Sequence, residues 1–171
     1  MADYEVRALE PSDFDTLMAL EQWLFGDKGE KTLGPFYVRL CCDFFRDTCF
    51  LAFTKGEPVG YFLSFVRGRE AYCSTLAILP AHQRSRLVFR FVQSFIGAIA
   101  ARVDTVWFTV HESNGDARAL HATLGAREIG THDAYFGPGE PRIVSRIDRV
   151  AFEKLRTRMR RLGLLPAAAV A

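Results

Sequence analysis

The sequence predicts an α/β fold of the α+β kind: one domain, with a mixed, mostly antiparallel sheet, a central parallel pair and helices on both faces. Three observations predict it. The segments read β-α-α-β-β-β-α-β-α-β-β, with no internal repeat and no linker that would divide the 171 residues. In the middle, an apolar run ending at Leu79, a helical stripe from Ser85 and a second apolar run, Asp104 to Val110, form a strand–helix–strand unit that favours parallel pairing. On either side the short connections "TKGE" and "FGPGEP" favour antiparallel pairing.

Tyr4 to Leu9 alternates as a short strand does. "PSDFDTLMALEQWLF" then sets Phe14, Leu17, Met18, Glu21, Leu24 and Phe25 near one helical face, and Ser12 followed by Asp15 has capping-box spacing. Gly and charge mark "GDKGEKTLG" as a loop. A second helix, Pro35 to Arg46, opens with proline in its first turn, where the missing N–H costs least. Strands at Thr48–Phe53 and Pro58–Val66 flank "TKGE", and a third at Ala71–Leu79 follows "RGRE". The next helix presents Val88, Phe91, Val92, Phe95, Ile96 and Ile99 at i, i+3, i+4, i+7, i+8 and i+11, a buried stripe. Asp104–Val110 is another strand. Ser113 to Leu124 is a helix with a capping box at Ser113 and Asp116, ended by Gly125, which can turn left-handed beyond the last turn. Strands at Arg127–Tyr135 and Arg142–Asp148 flank "FGPGEP". A basic helix closes the chain, and the final "PAAAVA" is expected to fray.

Composition, 49% hydrophobic and 25% charged, is that of a globular domain, and the 13% aromatic share predicts a bulky core or apolar pockets. Net charge is +2 and unevenly placed: residues 149 to 161 hold six Lys/Arg against Glu153 alone, which leaves the remainder slightly acidic. No general basic character points to a nucleic-acid partner. The tail helix could contact an acidic partner or a membrane surface, but its arginines at 156, 158, 160 and 161 are too dispersed around a helix for an amphipathic anchor. "MADYEVRALEPSDF" carries early acidic residues and no apolar run, so a secretory signal is not expected, and no apolar stretch approaches a membrane span. Cys41, Cys42, Cys49 and Cys73 lack CxxC spacing or a His cluster, so reduced structural thiols are expected rather than a metal site. A cytoplasmic compartment follows as the expectation.

The stretch "STLAILPAHQRSRLVFRFVQSFI" raises the question of function. Amides at a helix N-terminus lack intrahelical acceptors, and the helix dipole adds partial positive charge there. The backbone of Arg84, Ser85, Arg86, Leu87 and Val88 could therefore hold a pyrophosphate. Such turns commonly use glycine for close approach, and residues 78 to 96 contain none. Arg84, Arg86 and Arg90 could compensate with charge-assisted bonds. The same residues equally suit a solvated helix start.

Two segments resemble the GNAT superfamily of acyl-CoA-dependent N-acyltransferases, and the resemblance covers nearly the whole chain. "LAILPAHQRSRLV" lies over the family's [QR]-x-x-G-x-[GA] turn, with Gln83 at its first position and Arg86 and Val88 where glycines usually stand. "NGDARALHATLGA" is similar to N-x-x-A-x-x-L-Y-x-x-L-G-F through Asn114, Ala117, Leu120, Leu124 and Gly125, with His121 for the tyrosine and Ala126 for the phenylalanine. The resemblance implies a single GNAT-like domain over 1–149, with a basic helix and tail at 150–171 belonging to it or packed on it. It implies acetyl-CoA as co-substrate, held by Gln83 to Val88 and by the backbone of Ala77 and Ile78 against the pantetheine arm. It also implies that the next strand, ending at Val110, diverges from the Ala77–Ile78 strand to admit the thioester.

Acyl transfer to an amine needs a neutral nucleophile, a polarised carbonyl and a proton for the thiolate. His121, replacing the family's tyrosine, is the expected acid, because an imidazole near pKa ~6.5 suits reversible transfer. Tyr135 and Tyr72 are alternative donors. Glu112, His111 and Glu70, near strand ends, are candidate bases, and a water relay could serve. Asn114 could orient pantetheine or a catalytic water, or cap a helix. Trp23, Phe25, Phe36 and Tyr37 could line an acceptor pocket or simply pack the core. "GPFYVRLCCDFFRDTC" is similar to a segment of the ectoine-pathway diaminobutyrate acetyltransferases through Pro35, Leu40, Cys42, Phe45, Asp47, Thr48 and Cys49, while Leu33-Gly34 replaces their polar pair. The reading that results is an N-acetyltransferase for a small amine or amino acid, a homodimer by analogy. The other class left open is a non-catalytic binding or assembly protein of the same fold. The features that separate them are the glycine-less turn and His121.

Overall fold

A computed structural model describes residues 3–165; the expected fraying of the last residues lies outside them. Seven strands are β1 (Glu5–Ala8), β2 (Phe50–Thr54), β3 (Glu57–Arg67), β4 (Glu70–Ile78), β5 (Thr105–Val110), β6 (Arg127–His132) and β7 (Arg142–Ile147). The helices are α1 (Phe14–Leu24), α2 (Pro35–Asp43), α3 (Leu87–Ile99), α4 (Gly115–Thr123) and α5 (Arg149–Arg161). The strands form one mixed sheet in the order β1-β2-β3-β4-β5-β7-β6, and β4–β5 pair in parallel. Contacts divide the chain into two compact units: residues 1–65 with 75–99, and residues 66–74 with 100–171.

In the first unit β1, β2 and β3 form an antiparallel meander. The β2–β3 turn follows from "TKGE": Lys55 and Gly56 both take positive φ, 52° and 82°, as a two-residue hairpin matched to strand twist requires. α3 packs on β1 and β2 through Leu87, Phe91, Val92, Phe95, Ile96 and Ile99, all buried. The helix begins two residues later than the sequence suggests, so Leu87 enters the core and Val88 stays half-buried. Phe62 joins this layer, its ring 4.9 Å from Phe95 and 6.3 Å from Phe91.

The expected Ser12 cap of α1 is replaced by a three-residue 3-10 turn, Pro11–Asp13. The buried Asp13 carboxylate accepts the Glu10 amide at 2.7 Å and both guanidinium nitrogens of Arg7 at 2.7 Å, which joins β1 to the start of α1. Hydrogen bonds from Arg7 hold that carboxyl below its ordinary pKa. Farther along α1, Glu21 is 2% exposed. Its carboxylate accepts the Tyr61 hydroxyl of β3 and, at 2.9 Å, the Leu33 amide, so the α1–α2 connection is tied to the sheet. Burial, with Glu21 beside it, pushes the Tyr61 phenol far above its usual value.

The segment "RDTC" folds as a buried joint. Thr48 Oγ1 donates to the Ser64 carbonyl at 3.0 Å, Ser64 Oγ donates back to the Thr48 carbonyl at 2.5 Å, and Cys49 Sγ reaches the same Ser64 carbonyl at 3.3 Å. Thr48 and Cys49 of the diaminobutyrate-type segment thus hold β3, and all four cysteines are free and buried.

In the second unit the parallel β4–β5 ladder covers Glu70–Cys73 against Thr105–Phe108 and stops there. β5 continues against β7, and β7 carries the edge strand β6 with a bulge at Ile129. α5 packs on β5 and β7 through Phe152, Leu155 and Met159. Asp148 caps it by accepting the Ala151 amide at 2.9 Å, and Gly163 at φ 68° ends it.

Candidate active site

In the first unit the candidate anion site is the turn between β4 and α3. Pro80–His82 form a 3-10 turn, Gln83 is extended, and Arg84 takes φ 58°, a left-handed backbone that an arginine adopts against its own Cβ. The turn is thus reached without glycine by straining one residue. Neither Arg86 nor Val88, at the family's glycine positions, has positive φ, so a side chain is tolerated at both. Ser85 Oγ accepts the Leu87 amide at 3.1 Å. Among the described residues, no acceptor is recorded for the amides of Arg84, Ser85 and Val88, at the N-terminus of a 13-residue helix. An anion fits such a set of donors.

Gln83 does something other than expected. Its Nε2 donates to the Ile78 carbonyl at 3.0 Å, fastening the turn to the end of β4 and occupying one acceptor site of the carbonyl expected to meet a pantetheine arm. Sequence reasoning missed Gly60. A Cβ there would lie 2.6 Å from the Ala77 carbonyl and 3.2 Å from the Ile78 Cα, so only glycine lets β3 run this close to the end of β4. His82 ties the turn back to the residue preceding β1 through a 3.0 Å hydrogen bond between its Nδ1 and the Tyr4 hydroxyl.

The expected acceptor-pocket residues separate. Trp23, 53% exposed, opens on a groove of ≈ 670 Å³ with Leu20, Lys55, Pro58, Leu79 and His82. Phe36 is 78% exposed, Phe25 half-buried, and Tyr37 packs edge-on against Phe65 at 5.6 Å. Neither Phe25, Phe36 nor Tyr37 lines the Trp23 groove.

The other candidate residues belong to the second unit and are described within it. Asn114 caps α4: its Oδ1 accepts the Ala117 amide at 3.1 Å. The Ser113–Asp116 capping box does not form, and Ser113 Oγ instead pairs with His111 Nδ1 at 2.8 Å. Glu112 is exposed, and its backbone carbonyl accepts Arg118 at 3.2 Å. Glu70 is committed to Trp107, whose Nε1 donates to it at 3.1 Å, with Arg67 3.6 Å away. Tyr72 shares a 2.6 Å hydrogen bond with Thr109, and burial pushes its phenol to about 12, so it stays protonated at neutral pH. Tyr135 is partly exposed and stacks edge-on with His132 and Phe136.

His121 lies on the inner side of α4 with its ring stacked on Phe108 of β5, centroids 4.2 Å apart. Burial lowers its pKa to about 4. Its Nδ1 is buried without a partner, which favours the tautomer with the hydrogen on Nε2, since a bare lone pair is cheaper to bury than an unbonded N–H. The unperturbed imidazole near pKa ~6.5 expected from the sequence is therefore replaced by one that stays neutral at pH 7.

The profile of the acetyltransferase (GNAT) family matches residues 14–126, which span both the strained turn and α4. The chain belongs to the GNAT acetyltransferase family. As a member it is an acetyltransferase, and solved relatives share its fold. The diaminobutyrate acetyltransferase of Paenibacillus lautus, in complex with L-2,4-diaminobutyric acid and coenzyme A, is 19% identical. That comparison covers 87% of this chain and 96% of the other, with a TM-score of 0.70. The Escherichia coli ribosomal-protein-S18-alanine N-acetyltransferase is 22% identical over 85% and 94%, with a TM-score of 0.69. No curated protein sequence matches. Among the described residues no helix of this GNAT acetyltransferase is long and apolar enough to cross a membrane.

Proposed function

We propose that this acetyltransferase transfers the acetyl group of acetyl-CoA to the primary amine of a small molecule or amino acid by direct attack in a ternary complex. The observation that carries the reading is the row of amides at Arg84, Ser85 and Val88, for which no acceptor is recorded among the described residues and which suits a pyrophosphate. Arg84 and Arg90 stand on the same turn and first helical turn to add charge-assisted bonds. The termination of the β4–β5 ladder at Cys73 and Phe108 supports a place for the thioester arm.

In the reaction the amine nitrogen bonds to the thioester carbonyl carbon, the C–S bond breaks, the ammonium proton leaves to a base or water, and the thiolate takes up a proton. Tyr72 and His121 are both neutral at pH 7, so in this proposal they act as hydrogen-bond donors. His121 offers Nε2–H to the leaving sulfur, in place of a pre-formed imidazolium. Glu112 and His111 serve the base side from the exposed segment after β5, directly or through water. A small acceptor is favoured by the similarity of "GPFYVRLCCDFFRDTC" to the diaminobutyrate enzymes. Its Thr48 and Cys49 act as packing groups, so that support concerns ancestry more than grip.

Calorimetric titration with acetyl-CoA and with CoA tests the reading without an acceptor. Micromolar binding that is lost in Ser85→Pro, which removes one amide of the row, is the expected result. Absence of binding at millimolar acetyl-CoA sinks the assignment of the pyrophosphate to this turn. An amine panel that includes 2,4-diaminobutyrate and an alanine-starting peptide then separates small from polypeptide acceptors.

A further inference from the structure

We propose that the outer face of α5 is a docking surface for an acidic polypeptide segment. Read linearly, its basic residues scatter around the helix; folded, they sort into two sets. Phe152, Leu155 and Met159 point into the second unit and fix the helix's rotation. That rotation turns Arg156 aside, where its guanidinium donates to the Ala100 carbonyl and to Glu153. Arg160 is turned aside as well, 3.8 Å from the same Glu153. The remaining cations, Arg149, Lys154, Arg158 and Arg161, line one shallow groove of ≈ 580 Å³ together with Val150 and Thr157. Among the described residues none of these four side chains is recorded with a carboxylate within ion-pair distance. Glu153 borders the groove, but its charge is already taken by Arg156 and Arg160.

The spacing suits carboxylates. Lys154 and Arg158 are one turn apart, about 6 Å along the axis, and Arg161 is a further ~4.5 Å, so the row from Arg149 extends about 18 Å. Acidic side chains recur at about 6 to 7 Å on an acidic helix or on alternate residues of an extended strand. Two other anionic surfaces fit less well. A membrane-surface helix immerses a wide apolar face, and here that face is buried inside the protein, with Val150 the one large apolar residue in the groove. Single-stranded nucleic acid calls for aromatic platforms, and the groove has none, while the whole chain carries a net charge of only +2. Such a row of cations on a packed helix instead steers and orients an acidic protein partner. The proposal is independent of the acetyl-CoA reading.

The test uses the full chain and a labelled Glu-rich peptide followed by fluorescence anisotropy, with single-stranded RNA and phosphatidylserine vesicles in parallel. The expected result is peptide binding that weakens with added salt and falls about tenfold or more in Lys154→Glu/Arg158→Glu. Lys28→Glu/Arg46→Glu, with the same change in net charge elsewhere, should leave binding intact. If the first pair lowers the melting temperature, Lys154→Gln/Arg158→Gln replaces it. No peptide binding, equal losses in both pairs, or tighter binding of RNA or vesicles than of peptide would each overturn the proposal.

Discussion

Arg84 concentrates in one residue what the family usually spreads over glycines. A left-handed backbone costs a non-glycine residue roughly 1–2 kcal/mol, and glycine recovers that but loses up to about 1 kcal/mol to a freer unfolded chain. Arg84→Gly is therefore expected to be near neutral or mildly stabilising, and more stable than Arg84→Ala by up to ~1 kcal/mol in urea denaturation. Equal stabilities of the two variants would remove the strain argument. No residue-type signature announces an arginine at positive φ, so this part of the turn was illegible beforehand, whereas the lack of glycine was plain. His121 differs in the same way. Its place on α4 was readable from the motif, but its stacking on Phe108 was not, because that depends on how far β5 and α4 approach. Its ordinary pKa is 6.5 and its folded one about 4, so between those values the unfolded chain takes up a proton that the folded chain refuses. Stability should thus be full above pH 6.5 and decline as pH falls toward 4. In His121→Phe that decline should flatten, measured as denaturation midpoint against pH; parallel profiles would show that the ring is hydrated.

At the scale of elements, periodicity carried most of the information. The α3 stripe from Phe91 to Ile99, the "TKGE" hairpin and the stop at Gly125 stand where spacing and turn chemistry place them, because each is a local preference that the tertiary structure reinforces. Long-range polar joints were not visible. Glu21 was noticed only as one member of an otherwise apolar face. Its partners, Tyr61 and the Leu33 amide, lie 40 and 12 residues away. Tyr61→Phe leaves this buried carboxylate with the Leu33 amide as its remaining recorded partner, and should cost about 1–3 kcal/mol in denaturant unfolding. A loss below 0.5 kcal/mol would mean that the pair is dispensable. β6 shows a different kind of local logic. All six of its residues are exposed, and the bulge at Ile129 interrupts a strand whose outer edge would otherwise offer a regular ladder.

For the whole molecule, the order of segments was enough to give the mixed sheet and its parallel pair, since few topologies accommodate hairpins on both sides of a strand–helix–strand unit. It did not show that α5 falls within the same compact unit as β5 to β7. Ligand linkage also acts at this scale: if acetyl-CoA binds, a concentration of about 100 times its dissociation constant should add roughly 2.7 kcal/mol to unfolding, visible as a raised melting temperature. The division of the chain has one more consequence, for its synthesis. Everything the first unit needs, 1–65 and 75–99, has been made before residue 100. Glu70–Cys73 lies between those pieces, yet its parallel partner, Thr105–Phe108, is made later. A chain leaving the ribosome N-terminus first can therefore complete the first unit while this short strand segment still waits for β5. In that interval the nascent protein is most exposed to chaperones and to its own neighbours on the same message.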